Sequence, residues 1–178
     1  MATRKMLLAG FGGQGVLLIG QMIAYAAMYE DKQVTWMPSY GPEMRGGTAN
    51  CTVVVSDKPI ASPLPSAYDT LLAMNTPSLV RYIDQLIPGG DLFINSSIIH
   101  DKIERDDINV YYIDSVKLAQ EVVGNEKSGN MVVLGAILKK TNVVEKETMG
   151  KVFEKLMTGK KAKFIEPNMK ALDAWEEE

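Results

Sequence analysis

Short apolar runs separated by glycines and polar turns occupy the first sixty residues. Three of these runs predict strands: Lys5–Ala9, Val34–Met37 and Thr48–Ser56. We expect the second strand to end at Pro38. Between the first two runs, Val16–Tyr29 has the length of a helix, and Gln21 is its only polar side chain. A helix that is apolar on all sides is buried on more than one side, so it lies either beneath a further layer or at a subunit interface.

Strand and helix patterns alternate along the rest of the chain. Asp69–Met74 predicts a fourth strand, and Thr76 then caps a helix that Pro77 opens and that reaches Leu86, ahead of Pro88-Gly89-Gly90. The remaining predicted elements are strands at Asp91–Ile94 and Asn109–Ile113 and helices at 115–123, 130–140, 145–157 and 167–175. At 178 residues and 46% hydrophobic, the chain fits a single domain over residues 1–178. The alternation predicts a three-layer α/β/α fold with a mostly parallel, mixed sheet. The tight return of Thr48–Ser56 indicates at least one antiparallel pair.

Charge is distributed unevenly along the chain, because residues 1–100 hold 13 of the 41 charged side chains and residues 139–178 hold 17. The front of the chain is therefore expected to be a buried core and the end a helical, surface-exposed tail. A net charge of −3 gives no basic surface for nucleic acid. The apolar piece Val16–Tyr29 is too short to cross a bilayer. We expect a soluble, cytoplasmic protein that binds neither nucleic acid nor membrane.

The chain has one cysteine, Cys51. A lone cysteine forms no internal disulfide and cannot ligate an iron–sulfur cluster or build a Cys-rich zinc site. It fits a reducing compartment, and we expect it to be a buried small apolar group at the start of the third strand. His100, the only histidine, lies in a polar loop and is expected to be solvated. The sequence shows no nucleophile–base set and no metal-ligand cluster, so we predict no catalytic or metal residue in the isolated chain.

The first strand runs into 10-GFGGQG-15, which matches G-x-G-x-x-G and precedes a helix. Such a loop lets backbone N–H groups approach a phosphate at a helix N-terminus. A dinucleotide site also needs an acidic residue at the end of the second strand, where this chain has Thr35-Trp36-Met37-Pro38. Two interpretations remain, a cradle for an anion or cofactor phosphate and a tight turn with close strand–helix packing. The candidate residues are Gly10, Gly12, Gly13, Gln14 and Gly15.

The segment 39-SYGPEMRGGTANC-51 concentrates more chemistry than a solvated loop needs. Its glycines permit positive φ, and Arg45 offers a planar fork for phosphate or carboxylate. The alternative is a surface loop braced by a pair between Arg45 and Glu43. We predict that this segment is the functional loop, and its candidate residues are Ser39, Tyr40, Gly41, Pro42, Glu43, Arg45, Gly46 and Gly47.

In an open parallel sheet the ligand crevice lies outside the carboxyl ends of the strands. The glycine loop and the Ser39–Gly47 loop are therefore expected to meet at one edge. Asn75 and Asn95 follow the fourth and fifth strands and reach the same edge, so both are candidate contacts. Their alternative roles are helix capping and Asx turns.

The motifs together resemble the gamma subunit of 2-oxoacid:ferredoxin oxidoreductases, the pyruvate/ketoisovalerate oxidoreductase group. The matching segments keep the family's order over nearly the whole chain: 10-GFGGQGV-16, 36-WMPSYGPEMRGGTANC-51, 59-PIASP-63, 74-MNTPS-78, 95-NSS-97 and 130-NMVVLGA-136. The joined Ser-Tyr-Gly-Pro-Glu-Met-Arg-Gly-Gly string is highly specific for this family, whereas the glycine loop alone would not be.

The resemblance implies a subunit of a multi-chain enzyme that is not active alone. That enzyme decarboxylates a 2-oxoacid on thiamine diphosphate with Mg²⁺, passes electrons through iron–sulfur clusters to ferredoxin, and forms an acyl-CoA. The implied partners are alpha, beta and ferredoxin-like delta subunits, and the implied role is to complete the complex and help to place CoA. We also expect the isolated chain to self-associate or to bind those partners.

Two competing hypotheses assign the chain to other functional classes. One is a free-standing nucleotide-binding oxidoreductase, which depends on G-x-G-x-x-G alone and lacks the acidic residue after the second strand. The other is a purely structural subunit whose loops bind no ligand and only dock partners. The choice of 2-oxoacid is expected to reside in the thiamine-bearing chains.

Overall fold

The computed structural model describes residues 3–40 and 47–177, and within them six strands form one mixed sheet of order β2-β3-β1-β4-β5-β6. The strands are β1 (Arg4–Phe11), β2 (Gln33–Tyr40), β3 (Thr48–Ser56), β4 (Tyr68–Ala73), β5 (Leu86–Asn95) and β6 (Asn109–Ile113). β3 runs antiparallel to β1 and β2, whereas β1, β4, β5 and β6 are parallel to one another. The predicted mostly parallel sheet with an antiparallel return is confirmed.

Helices cover both faces of this sheet. They are α1 (Val16–Tyr29), α2 (Thr76–Tyr82), α3 (Ser115–Val123), α4 (Gly129–Thr141), α5 (Thr148–Leu156) and α6 (Ile165–Leu172). α1 packs on β1, β2 and β3, α4 packs on β5 and β6, and α3, α5 and α6 pack on these helices. The other face carries α2 and the apolar side chains of the segment that links β5 to β6. The predicted three-layer α/β/α fold with a helical C-terminal region is confirmed.

Alternation along the central strands divides the core into two clusters. Met6 and Leu8 of β1 enter the cluster under α1 and α4, whereas Leu7 enters the cluster under α2. Successive side chains of a strand point to opposite faces, so a strand buried on both sides is apolar throughout. β1 is buried on both sides, and this explains the continuous apolar run from which the strand was predicted.

α1 is buried on one side and partly exposed on the other. Its inner side chains are fully enclosed, and α5 covers part of its outer side. Leu18, Met28 and Tyr29 remain 37%, 59% and 44% exposed. Both interpretations of the apolar helix therefore retain support, because a further layer covers it only in part.

Two predicted boundaries were wrong. β2 continues through Pro38 to Tyr40, because β2 lies at the edge of the sheet, where a missing backbone donor is tolerated. The helix expected to reach Leu86 ends at Tyr82, and β5 begins at Leu86 and runs through the Pro-Gly-Gly sequence. Gly89 adopts φ +76° there and donates its N–H to Asp107 O at 2.6 Å.

The cap of α2 is also one residue earlier than predicted. Asn75 Oδ1 accepts a hydrogen bond from Ser78 N at 2.9 Å, whereas Thr76 Oγ1 bonds Asp101 Oδ2 at 3.0 Å. The helix-capping role considered for Asn75 is confirmed. Within residues 3–40 and 47–177, no helix combines the length and apolarity needed to cross a membrane.

Candidate functional site

The glycine loop contacts Gly47, the described end of the predicted Ser39–Gly47 loop, at the carboxyl edge of the sheet. β1 and β3 pair up to Phe11 and Thr48, and beyond that pair Gly12 N donates to Gly47 O at 2.9 Å. The long antiparallel register between β1 and β3 thus brings the start of one motif against the end of the other. Gly41, Pro42, Glu43, Arg45 and Gly46 lie outside the described residues, as does the side chain of Tyr40. Ser39 is exposed.

Gln14 braces this edge from within the loop. Its Oε1 accepts from Phe11 N at 2.7 Å and from Asn75 Nδ2 at 3.0 Å, and its Nε2 donates to Met74 O at 3.1 Å. The carboxamide therefore ties the end of β1 to the end of β4. This engagement supports the structural interpretation of Gln14, and its predicted contact with a ligand stays a prediction.

Asn95 continues the brace to the next strand. Its Nδ2 lies 3.5 Å from Met74 O, and its Oδ1 accepts from Ser115 Oγ at 2.8 Å at the start of α3. Asn75 and Asn95 are 1% and 2% exposed, so both are buried beneath the edge rather than displayed on it. The two asparagines reach the predicted edge, and the structure places them as internal hydrogen-bonding groups.

Two helix N-termini converge beside the glycine loop. Gly15 precedes α1 at φ +80°, and a Cβ placed on it would lie 2.6 Å from Asn130 Nδ2, in the first turn of α4. Neither helix has a side-chain cap or an acidic residue in its first turn. Because first-turn N–H groups lack intrahelical partners and helix N-termini carry partial positive charge, this geometry favours an anionic group.

Gly10 and Gly13 of the loop also require glycine, for different reasons. At Gly10 a Cβ would lie 2.7 Å from Gln14 Oε1 and 2.9 Å from Met74 Cβ, so close packing excludes a side chain. At Gly13, with φ +94°, a Cβ would meet no atom within 4 Å, so the backbone conformation is the constraint. Tight packing and an open turn therefore coexist within six residues.

Asn130 is the residue of this edge that the sequence interpretation missed as a site candidate. It is partly exposed, and its carboxamide makes no hydrogen bond within the described residues. The carboxamides of Gln14, Asn75 and Asn95 are all engaged. The available signal was its position at the start of the 130-NMVVLGA-136 segment, directly after a polar turn.

Cys51 and His100 match their predicted roles. Cys51 is fully buried beneath Gly20 of α1, and burial raises the pKa of its thiol to about 12 against smaller opposing contributions from the Trp36 indole and the Gly20 backbone. The Trp36 indole N–H has no conventional hydrogen-bond acceptor among the described residues. His100 is exposed.

Two grooves lie farther along the sheet. One of about 740 Å³ follows β6 and is lined by side chains of α3 and of residues 174–177, and another of about 480 Å³ includes Ser97, His100 and Asp114. Of the predicted site residues that the structure describes, none lines either groove. The grooves therefore do not identify the predicted site, which is defined here by converging loops and helix N-termini.

Comparison with known proteins places the chain in a family. Residues 5–175 match the family described as pyruvate ferredoxin/flavodoxin oxidoreductase. The chain is 35% identical over 150 residues to the 2-oxoglutarate synthase subunit KorC of Methanocaldococcus jannaschii, covering 83% of this chain and 80% of that subunit. It is 32% identical to the ketoisovalerate oxidoreductase subunit VorA of Methanothermobacter thermautotrophicus, covering 96% of this chain but only 35% of that longer relative.

Solved structures agree with the sequence comparisons. The gamma subunit of a keto/oxoacid ferredoxin oxidoreductase from Geobacter sulfurreducens superimposes with a TM-score of 0.80 at 32% identity, over 96% of this chain and 95% of that one. A 2-oxoglutarate:ferredoxin oxidoreductase from Magnetococcus marinus, solved with coenzyme A bound, has a TM-score of 0.88 over 97% of this chain and 30% of its own; its 23% identity shows the fold alone. The resemblance drawn from the sequence motifs is confirmed, and the chain belongs to the pyruvate ferredoxin/flavodoxin oxidoreductase family.

Proposed function

We propose that this chain works as the gamma-type subunit of a cytoplasmic 2-oxoacid:ferredoxin oxidoreductase, together with alpha, beta and ferredoxin-like delta subunits. The observation that carries this proposal is the family match over residues 5–175, supported by gamma-type relatives of similar length. The overall reaction converts a 2-oxoacid, CoA and oxidised ferredoxin to an acyl-CoA, CO₂ and reduced ferredoxin.

The side chains of this subunit do not fit the redox cofactors of such an enzyme. An iron–sulfur cluster needs several accessible thiolates, whereas Cys51 is the single cysteine, is fully buried, and has its pKa raised to about 12. Within the described residues, no group of three His, Cys, Asp or Glu side chains is placed to hold a metal ion. We therefore assign the clusters, the thiamine diphosphate and its Mg²⁺ to the partner chains.

The part we propose for this chain is to hold a phosphate-bearing portion of CoA at the carboxyl edge of the sheet. Backbone N–H groups of the Gly10–Gly15 loop and of the first turns of α1 and α4 supply neutral donors with partial positive charge. The Asn130 carboxamide adds a donor that makes no hydrogen bond within residues 3–40 and 47–177. Arg45, in the adjoining loop, would supply the charged fork.

Kinetics of the reconstituted complex test this assignment. Arg45→Lys keeps the charge but loses the bidentate fork, so it should raise the KM for CoA, and Arg45→Ala should raise it further. Asn130→Ala should act in the same direction by a smaller factor. Arg81→Ala is the matched control, because Arg81 is an exposed arginine of α2 that stacks on Tyr82.

The competing function is a docking subunit that binds no ligand. It is favoured by the internal hydrogen bonds of the Gln14 carboxamide and by the burial of Asn75 and Asn95. If Arg45→Ala leaves the KM for CoA unchanged but lowers the proportion of assembled complex, this function replaces the CoA-placing role. Subunit stoichiometry measured on the same preparations separates the two.

A further inference from the structure

The second half of α5 and the loop between α5 and α6 are strongly basic in an otherwise acidic chain. Residues 151–163 hold five lysines and one glutamate, whereas the whole chain has 19 basic and 22 acidic side chains. Residues 158–164 are all exposed, and Phe164 is 42% exposed. We name the lysine surface for its members, Lys151, Lys155, Lys160, Lys161, Lys163 and Phe164.

None of these lysines forms an ion pair within 4 Å in the described part of the chain. By contrast, Lys32, Lys140, Lys146 and Lys170 each have a carboxylate oxygen within 2.8 Å. In the lysine surface, Lys155 and Lys163 instead lie over the rings of Tyr25 and Phe164. Among residues 3–40 and 47–177, these five positive charges therefore have no carboxylate counter-ion.

The lysine surface adjoins the uncovered side of α1. Lys155 Nζ lies 5.2 Å from the centre of the Tyr25 ring, which links α5 to α1. Leu18, Tyr25 and Met28 share one face of α1, because they are separated by seven and three residues. Leu18 and Met28 are 37% and 59% exposed. An exposed apolar stripe with lysine side chains beside it has the composition of a protein docking surface.

We propose that the lysine surface and the α1 stripe together dock an acidic face of another protein chain of the same complex. The proposal rests on the proposed function, since that function supplies the partner. Carboxylates of the partner would face the lysines, and apolar side chains would cover the α1 stripe. Nucleic acid fits less well, because the acidic chain contributes no arginine to this surface and apolar side chains adjoin it.

A charge reversal with a matched control tests the proposal. The chains that co-purify with the full-length protein from its native source serve as the probe, and their binding is followed at increasing salt. Lys160→Glu/Lys161→Glu/Lys163→Glu should slow association about tenfold or more, with the difference shrinking as salt rises. Lys102→Glu/Lys117→Glu/Lys127→Glu makes the same change in net charge at exposed lysines elsewhere and should leave association unchanged.

A second pair tests the apolar part. Met28→Ser should speed dissociation, whereas Val80→Ser removes a side chain that is 70% exposed on α2 and should have no effect. All of these positions are exposed, so the variants are expected to fold, and circular dichroism checks this.

Each outcome has a distinct meaning. If the wild-type chain binds none of the co-purified chains, the proposed function fails. If it binds them and both lysine triples behave alike, the proposed function survives and the lysine surface is not the docking site. If the Lys160→Glu/Lys161→Glu/Lys163→Glu variant loses binding to heparin or to phosphatidylglycerol vesicles while its binding to the partner chains is unchanged, the surface binds polyanions and the proposal is overturned.

Discussion

The two ends of the parallel strands are braced in opposite ways. At the carboxyl end, the neutral carboxamides of Gln14, Asn75 and Asn95 link β1, β4 and β5. At the amino end, charged groups link the same strands, because Arg4 Nη2 donates to Asp91 Oδ2 at 2.7 Å and Lys5 N donates to Asp69 Oδ2 at 2.9 Å. One sheet thus carries an uncharged brace at one end and an ionic brace at the other.

The difference indicates which end is suited to a ligand. At the amino end, the Arg4 guanidinium is already paired with Asp69 and Asp91, so it is not available to an anionic ligand. The neutral brace at the carboxyl end adds no negative charge beside the N-termini of α1 and α4, so their partial positive charge remains available. The comparison therefore favours the carboxyl end as the binding edge and the amino end as a source of stability.

The largest expected effect on stability comes from replacing a glycine at either end of the parallel strands, Gly15 at the carboxyl end and Gly89 at the amino end. Gly15→Ala combines a left-handed backbone, at φ +80°, with a collision against Asn130. We expect it to lower the free energy of unfolding by about 2–5 kcal/mol, from strain and overpacking together. At the amino end, Gly89→Ala meets the same backbone constraint, at φ +76°, but no atoms within 4 Å.

Gly89→Ala is therefore expected to cost only about 1–2 kcal/mol. Urea denaturation of both variants measures the difference. If both variants lose the same free energy of unfolding, Asn130 moves aside freely and the packing around Gly15 is looser than the structure indicates.

The next effect is the loss of charge from the ionic brace. Asp91 is buried, and Arg4 depends on it, because Arg4 Nε makes no hydrogen bond to any described residue and lies 3.6 Å from Asp69 Oδ1. Asp91→Asn should lower the free energy of unfolding by about 2–3 kcal/mol, somewhat less than for a fully enclosed pair. Asp107→Asn, which disrupts the exposed pair with Arg105, is the control and should change stability little. A similar result for both variants would contradict a structural role for the ionic brace.

A smaller effect is expected from the neutral brace. Asn75→Ala removes the cap of α2 and the hydrogen bond to Gln14, for a loss of about 1–2 kcal/mol. Because no charge is removed, the loss should not depend on salt, unlike that of Asp91→Asn. Asn125→Ala removes a cap from a short, partly exposed turn and should cost less. A strong salt dependence for Asn75→Ala would show that the carboxyl edge is charged after all.

The fold was predictable where one local signal dominated. β3, β6 and α3 have the predicted bounds, because β-branched and aromatic residues define the two strands and Asp114 and Gly124 cap the helix. Pro38 misled the prediction because only the sheet order places β2 at an edge. Pro88-Gly89-Gly90 misled it for the same reason, since the backbone bond from Gly89 to Asp107 joins residues far apart in sequence.

The site was predictable as a location but not in its hydrogen bonding. Strand order and the rule for parallel sheets placed both loops at one edge, and the bond between Gly12 and Gly47 lies there. Periodicity could not reveal that Gln14 turns inward to Met74, or that Asn130 packs on Gly15, because both contacts join segments more than fifty residues apart.

The smallest expected effect concerns the pH dependence of the ionic brace. Burial raises the pKa of Asp69, against lowering contributions from the Lys5 N–H and Arg4. The native state therefore binds this proton more tightly than the unfolded chain, whose aspartates titrate near pH 3.9. From about pH 4 up to the raised native pKa, the contribution of Asp69 to stability falls as pH rises, and it is constant above both values.

Asp69→Asn removes this titration while keeping an oxygen that accepts from Lys5 N. The variant should therefore gain stability relative to the wild type as pH rises through this window, and the difference should then level off. Asp106→Asn changes an exposed carboxylate and serves as the control. Thermal unfolding across pH gives the comparison. If instead the wild type becomes more stable than Asp69→Asn as pH rises, the interaction of Asp69 with Arg4 outweighs the cost of burying the carboxylate. The ionic brace would then stabilise the charged form of Asp69.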